Sequence, residues 1–273
     1  MGSEQPAPDR LATDQPDPAL DLLVLSPHLD DAALSCGATI HRVAQGGGRV
    51  LVVNVFTADA PTERSPLAAD LHRRWALGED AMVVRRREDS EACDRLGAAV
   101  QNLDFVDALY RCGASGEPHH PALPSLFGPP HPDDAGLVDR LAGVFRGLPP
   151  ARQVLAPLGI GGHVDHRLVH LAACAGFEAL EFYSDYPYAR SPRAVVRALL
   201  RVMGPPWRWR PRRHPLGPLD LDAKVDAIAR YRSQLGTAFP DRQTMESQVR
   251  RFSAWGEWTW AGSSTRDRPR PSS

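Results

Sequence analysis

Two short segments hold the residue types that hydrolytic metal chemistry needs. Ser26-Pro27-His28-Leu29-Asp30-Asp31 sets a histidine and a carboxylate three residues apart, with a second carboxylate between them. Gly161-Gly162-His163-Val164-Asp165-His166 sets two histidines at i and i+3. Where a chain bends into a helix, side chains three apart can face one point. His28 and Asp31 can therefore converge while Asp30 faces elsewhere, and His163 and His166 can converge as well. Two imidazoles and one carboxylate around an ion, with a fourth position open, make a hydrolytic zinc site. Such a metal brings the pKa of bound water to about 7, and a second carboxylate can then take the proton. Adjacent aspartates suit that division of labour, one held by the cation and its neighbour free as a base.

Each segment also has a plainer reading. Paired aspartates at a helix start stabilise the dipole by about 0.3–1 kcal/mol, and a glycine-flanked turn can simply expose two histidines. Position separates the readings. Leu22-Leu23-Val24-Leu25 is a short apolar run stopped by Pro27, which reads as a buried strand. Asp30-Asp31 then open a helix carrying Leu34, Ile40 and Val43 that ends in Gly46-Gly47-Gly48, and Arg49–Thr57 is the next strand. Strand, helix and strand in this space form a βαβ unit and imply a parallel sheet. A long polar helix follows over 68–96 with a break near Gly78, then a strand at Leu103–Val106 and a Pro/Gly/His loop from Gly113 to Pro132. Asp133 or Asp134 caps a helix with Leu137, Leu141, Phe145 and Leu148 at helical spacing. Further strands are expected at Gln153–Leu158 and Glu181–Ser184, with helices at Val164–Ala179 and Leu221–Leu235.

This alternation predicts an α/β fold, a Rossmann-like three-layer sandwich with a mostly parallel sheet in a single domain spanning 21–262. Residues 1–20 and 263–273 are expected to be flexible, and the Arg-, Trp- and Pro-rich stretch 197–218 to be an irregular, lid-like insertion. In an open parallel sheet, sites form in loops at the carboxyl ends of strands, and both histidine segments fall there. A third segment, His131-Pro132-Asp133-Asp134, repeats the His-x-Asp-Asp spelling but follows Gly128-Pro129-Pro130 and no strand. It reads as a helix start, and His119 and His120 in the same loop read as surface residues.

Composition narrows the class further. A formal net charge of -1 provides no field for nucleic acid or an anionic membrane. The 4 cysteines are scattered without a CxxC pair, which fits reduced thiols in a cytoplasm rather than zinc fingers or disulfides. No apolar run resembles a signal peptide or a membrane span. The tryptophans of Trp207-Arg208-Trp209-Arg210 and Trp255, Trp258 and Trp260 could stack on a sugar or aglycone, or pin a C-terminal segment to the domain.

Taken together, the two loops resemble those of the PIG-L/LmbE-like zinc-dependent deacetylases, whose mark is Pro-His-x-Asp-Asp after the first strand and a later His-x-x-His. Supporting segments are Arg85-x-x-Glu88 leading to Leu96-Gly97, Asp107-Ala108-Leu109-Tyr110-Arg111, Ser184-Asp185-Tyr186-Pro187-Tyr188-Ala189, and Lys224 onward to Tyr231-Arg232-Ser233-Gln234. The resemblance implies a Zn2+ cofactor held by His28, Asp31 and His166. It makes Asp30 the general base and His163 the group that stabilises the oxyanion or helps protonate the departing amine. Arg85 would contact substrate, and Asp107 would do so or orient His163. Leu29 and Ala32 stand where many members have Pro and Glu, a spelling that resembles the branch containing glycopeptide-antibiotic pseudoaglycone deacetylases. The implied reaction is hydrolysis of an N-acyl group, N-acetyl above all, from an amino sugar such as N-acetylglucosamine on a secondary metabolite. The implied partner is that small-molecule conjugate, with no nucleic acid and no membrane; oligomeric state is not legible in the pattern. Other amino-sugar conjugates, a thiol cofactor or aminoglycoside precursor, remain open as substrates. A receiver-like domain would need a lysine after the fifth strand, and the chain's sole lysine, Lys224, falls on an expected helix. A non-catalytic sugar-binding module would have no need for the complete set of polar residues.

Overall fold

The structure, a computed structural model, describes residues 19–261. The two expected flexible termini lie outside the described residues, except that Leu20 already begins the first strand. The chain runs β1 (Leu20–Ser26), α1 (Asp31–Gln45), β2 (Val50–Asn54), α2 (Pro66–Trp75), α3 (Ala81–Leu96) and β3 (Ala99–Asn102). Then follow α4 (Leu137–Arg146), β4 (Ala151–Pro157), α5 (Val164–Gly176), β5 (Glu181–Tyr183) and α6 (Pro192–Met203). The last elements are β6 (Pro211–His214), α7 (Pro218–Ile228), α8 (Arg232–Ala238), α9 (Arg242–Ser253) and β7 (Glu257–Ala261).

Among the described residues the strands form one sheet in the order β3-β2-β1-β4-β5-β7-β6. The first five are parallel, and β7 adds antiparallel to β5, with β6 antiparallel at the edge. The chain leaves β1 toward β2 and β3 on one side, then returns to lay β4 on the other. The loops after β1 and β4 therefore flank the point where strand order reverses, where open α/β sheets bind ligands.

Strand β1 is buried on both faces, and its alternation serves both layers. Leu22 and Val24 pack with Ala33, Cys36 and Ile40 of α1. Leu23 and Leu25 pack with Leu141 and Phe145 of α4 and Leu168 and Val169 of α5. A period of two on a covered parallel strand requires apolar residues at every position, which is why LLVL carries no polar side chain.

Three expectations change. The third strand lies at Ala99–Asn102 rather than Leu103–Val106: Leu103 and Phe105 still donate to the Asn54 and Val55 carbonyls, but Asp104 between them has φ 53°, which bends the chain out of the ladder. The break expected near Gly78 does separate α2 from α3, whereas the last expected helix divides into α7 and α8. Stretch 197–218 is more regular than expected. It holds the end of α6, a short 3-10 turn and edge strand β6, where proline and solvated arginines are tolerated because one side needs no partner. Trp258 and Trp260 belong to β7; Trp260 meets the Trp209 ring edge-on and pins the C-terminal strand, whereas Trp258 is exposed. Trp207 and Trp255 are exposed.

Lys224 is structural. Its stem runs against Gly37, where a Cβ would stand 3.1 Å from Cγ of the lysine. Its ammonium donates to Glu257 at 2.7 Å and Ser253 at 3.3 Å, and Glu257 also accepts the Ala38 and Thr39 amides of α1. With Lys224 1% and Glu257 4% exposed, the pair ties α7, α1 and β7 in a dry interior. Glu257→Ala should destabilise the fold by about 3–5 kcal/mol, because it leaves a buried ammonium uncompensated. Urea unfolding reads this directly, and an unchanged midpoint would remove the pair from the account of stability.

Candidate metal centre

The first half of the site is shaped by the exit from β1. Ser26 Oγ donates to the His28 carbonyl at 2.7 Å and accepts the Ala32 amide at 3.1 Å, closing the loop over itself. Asp30 adopts φ 154°, ψ -25°, a conformation L-residues avoid and which surrounding structure must enforce. Asp31, the first residue of α1, accepts the His28 amide at 2.9 Å. The second half follows β4. Gly161, at φ 87°, passes so close to Tyr188 that a Cβ there would lie 2.5 Å from the ring. Glycine is obligatory at that position, and the tight turn delivers His163 as the N-cap of α5 with His166 one turn on.

The two halves meet at Asp31. Its Oδ2 stands 3.2 Å from His28 Nδ1 and 3.2 Å from His166 Nε2. Ligand bonds of about 2.0–2.1 Å in a tetrahedron place neighbouring donors about 3.3 Å apart, and the separation of Asp31 from each imidazole matches that spacing. Each imidazole is held from behind by a second carboxylate. Asp165 lies 3.1 Å from His28 Nε2, and Asp185 lies 2.7 Å from His166 Nδ1. Carboxylates at the far nitrogen are how metal-binding histidines are usually oriented and made more basic. Asp165 is itself fixed by the Ala108 amide at 2.9 Å and the Arg111 guanidinium at 2.7 Å.

Electrostatics point the same way. Burial lowers the His28 pKa, but Asp107, Asp165 and Asp31 outweigh it and hold the ring well above its usual value. Burial likewise opposes His166, yet Asp31 and Asp185 push it up to about 10. Asp31 is held well below the carboxylate range against burial, chiefly by His166. The buried carboxylates therefore demand positive charge at one spot, a demand that a divalent cation meets by displacing protons from the ligands.

Asp30 and His163 differ from this trio. Burial first, then the charge of Asp31, pushes the Asp30 carboxyl up to about 7. Burial foremost pushes His163 down to about 3, leaving it neutral near pH 7. Its Nδ1 accepts the Asp165 amide at 3.2 Å, so the ring's proton sits on Nε2 as a donor. His28, His163 and His166 also bring one nitrogen each within 4.8 Å of one another. Because its Nδ1 is occupied by the α5 cap, His163 is the imidazole least available as a ligand.

These groups share a cleft of about 300 Å3 with Asp107, Arg85, Trp75, Leu109, Tyr188 and residues of α8. Arg85 is 6% exposed, its guanidinium 5.2 Å over the Trp75 ring, and its Nε has no hydrogen-bond partner. Asp107 faces His28 Nε2 at 3.6 Å, rather than His163 as expected, because its other oxygen is tied to the Leu109 amide at 2.8 Å.

Sequence reasoning missed the roles of Asp165, Asp185 and Arg111. The signal for Asp165 was a carboxylate between the two histidines, masked by its ordinary look at a helix start. For Asp185 it was a carboxylate just beyond a strand end. The repeated His-x-Asp-Asp spelling lies apart from this centre: His131 and Asp133 sit at a short 3-10 turn, and Asp134 is buried against Arg111 at 3.1 Å instead of capping α4. His119 stacks on His131 at 4.0 Å, and both His119 and His120 are largely enclosed rather than on the surface. His119, His131 and Asp133 could group around an ion, but the Asp133 amide already donates to His131 Nδ1.

Among the described residues no helix is long and apolar enough to cross a membrane. The chain is similar to the 2'-N-acetylparomamine deacetylase of Niallia circulans, 31% identical over 187 residues that cover 61% of this chain and 66% of that one. It therefore spans slightly under two thirds of that relative. The zinc-inhibited form of teicoplanin deacetylase superposes with a TM-score of 0.73 at 29% identity, covering 91% of this chain and 100% of that one. The A40926 pseudoaglycone deacetylase superposes with a TM-score of 0.67 at 29% identity, covering 88% and 96%. The family model for GlcNAc-PI de-N-acetylases, PIG-L, matches residues 23–176, a span that carries both histidine loops; the chain belongs to that family.

Proposed function

We propose that this protein is a zinc-dependent deacetylase that hydrolyses the N-acetyl group of an amino sugar, of the N-acetylglucosamine type, on a secondary metabolite such as a glycopeptide-antibiotic pseudoaglycone. The observation that carries this reading is Asp31 equidistant between His28 and His166, each imidazole backed by its own carboxylate. Deacetylases of teicoplanin, A40926 pseudoaglycone and paromamine among the relatives support the substrate class. Four cysteines without disulfides suit a reduced, cytoplasmic setting.

In this reading His28, Asp31 and His166 hold zinc, which supplies Lewis acidity toward the amide carbonyl and brings the pKa of water near neutrality. Asp30, whose carboxyl is poised at about 7, takes the proton from the attacking water. A base matched to the working pH is the efficient one. His163 Nε2 donates to the oxygen on which negative charge grows, a contact stronger in the transition state than before it. The C–N bond then breaks, and the proton that Asp30 took from the water passes to the departing amine, giving acetate and the free amino sugar. Asp165 and Asp185 keep the two ligand rings turned, and Arg85 and Trp75 line the side of the cleft where the sugar enters.

The purified protein should carry about one zinc per chain and release acetate from at least one member of a panel of N-acetylglucosaminyl pseudoaglycones and 2'-N-acetylated aminoglycosides. Chelation should abolish turnover, and absence of turnover across the panel in zinc-loaded protein would reject the reading. Asp30→Asn should retain zinc and lose about 10²–10⁴-fold in turnover, whereas Asp31→Asn should lose zinc. Elemental analysis beside kinetics separates the two, and swapped phenotypes would contradict the assignment of the aspartates. His131→Ala should change neither metal content nor rate; zinc loss in that variant would move the centre to the other His-x-Asp-Asp segment.

A further inference from the structure

Beside the cleft lies a smaller recess that the mechanism leaves unused. It opens at Asp30 and Leu34 on α1 and is otherwise walled by Ile228, Tyr231, Leu235 and Phe239. The cleft and the recess share Asp30, Leu34, Gln234 and Ala238, so one leads into the other. Its lining is apolar except at the mouth: Leu34, Ile228 and Phe239 belong to one buried cluster, with Leu235 packed against it. The Tyr231 hydroxyl is turned away to Asp89 at 2.8 Å. Free volume within the recess is about 10 Å3, at the lower limit for admitting a single water molecule.

We propose that this recess receives the methyl of the scissile acetyl group and limits the enzyme to the shortest acyl chains. The inference rests on the deacetylase reading above. Hydrolysis forms a bond between the water oxygen and the acyl carbon while the C–N bond breaks and the amine takes a proton. The water must lie within hydrogen-bond reach of Asp30, so the acyl carbon and its first substituent lie beside that residue as well. The sugar, on the nitrogen side, needs the wide polar cleft. An apolar substituent on the carbon side meets an apolar nook whose free volume of about 10 Å3 admits no more than the tip of its first carbon. Longer chains would have to displace Leu235 or Phe239, and overfilled apolar sites strain their walls.

The test compares kcat/KM for N-acetyl, N-propionyl and N-butyryl forms of one glucosamine conjugate in zinc-loaded protein. Wild type should discriminate against each added methylene by about 10- to 200-fold, the scale a hydrophobic pocket can enforce. Leu235→Ala should raise the butyryl-to-acetyl ratio at least tenfold. Ala238→Leu, which fills the recess, should lower kcat/KM for the acetyl form, with zinc content and thermal unfolding showing that both variants are intact. Equal rates for all three acyl forms in wild type, or a ratio that Leu235→Ala does not move, would overturn the recess's role while the deacetylase reading stands. No hydrolysis of the acetyl form by wild type would overturn that reading, and this inference with it.

Discussion

One carboxylate oxygen organises the centre of this molecule. Asp31 Oδ2 must lie within contact of two imidazoles that come from loops 135 residues apart in the chain, at 3.2 Å from each. Parallel pairing of β1 with β4 makes this possible by setting the two loops side by side at the carboxyl end of the sheet. Chain reversal about β1 keeps that position open, since no crossover helix has to cover it. The doubly covered core and the buried Lys224–Glu257 tie serve to hold that juxtaposition.

Charge is the second constraint. Asp31, Asp165 and Asp185 are buried around two histidines, with Arg111 behind them. Such a cluster is stable in a low-dielectric interior only when opposite charges and hydrogen bonds satisfy it. Arg111 joins Asp165 to Asp134 at 2.7 and 3.1 Å, so the loop that carries Asp134 is part of what orients His28. The strained Asp30 backbone belongs to the same arrangement. It sets adjacent aspartates in different surroundings, one carboxylate well below its usual pKa and the other raised to about 7.

Much of this was legible in the sequence, for identifiable reasons. The LLVL run and the glycine-stopped helix after it spell a βαβ start, and ligand-type residues just past two strands spell a site at the sheet's edge. The spacing of His28 to Asp31 and of His163 to His166, with both loops at strand ends of one parallel sheet, pointed to the four side chains meeting. The edge strands were not legible: β6 is proline- and arginine-rich, and β7 is a tryptophan alternation that only its partners make a strand. The supporting carboxylates were hidden for a similar reason. Asp165 and Asp185 acquire their roles from what lies across the sheet, which no local pattern encodes. Asp107 lines the cleft, but its direction, toward His28 rather than His163, depends on the Leu109 amide two residues on.

The central claim is that Asp31 joins His28 and His166 in a single zinc sphere. Anomalous diffraction at the zinc edge from metal-loaded crystals tests it most directly. The account predicts one strong peak about 2.0–2.2 Å from His28 Nδ1, an Asp31 oxygen and His166 Nε2, with Asp30 and His163 free of the metal. A peak bound by His163 with Asp31 outside the sphere, or a sole peak among His119, His131 and Asp133, would contradict it.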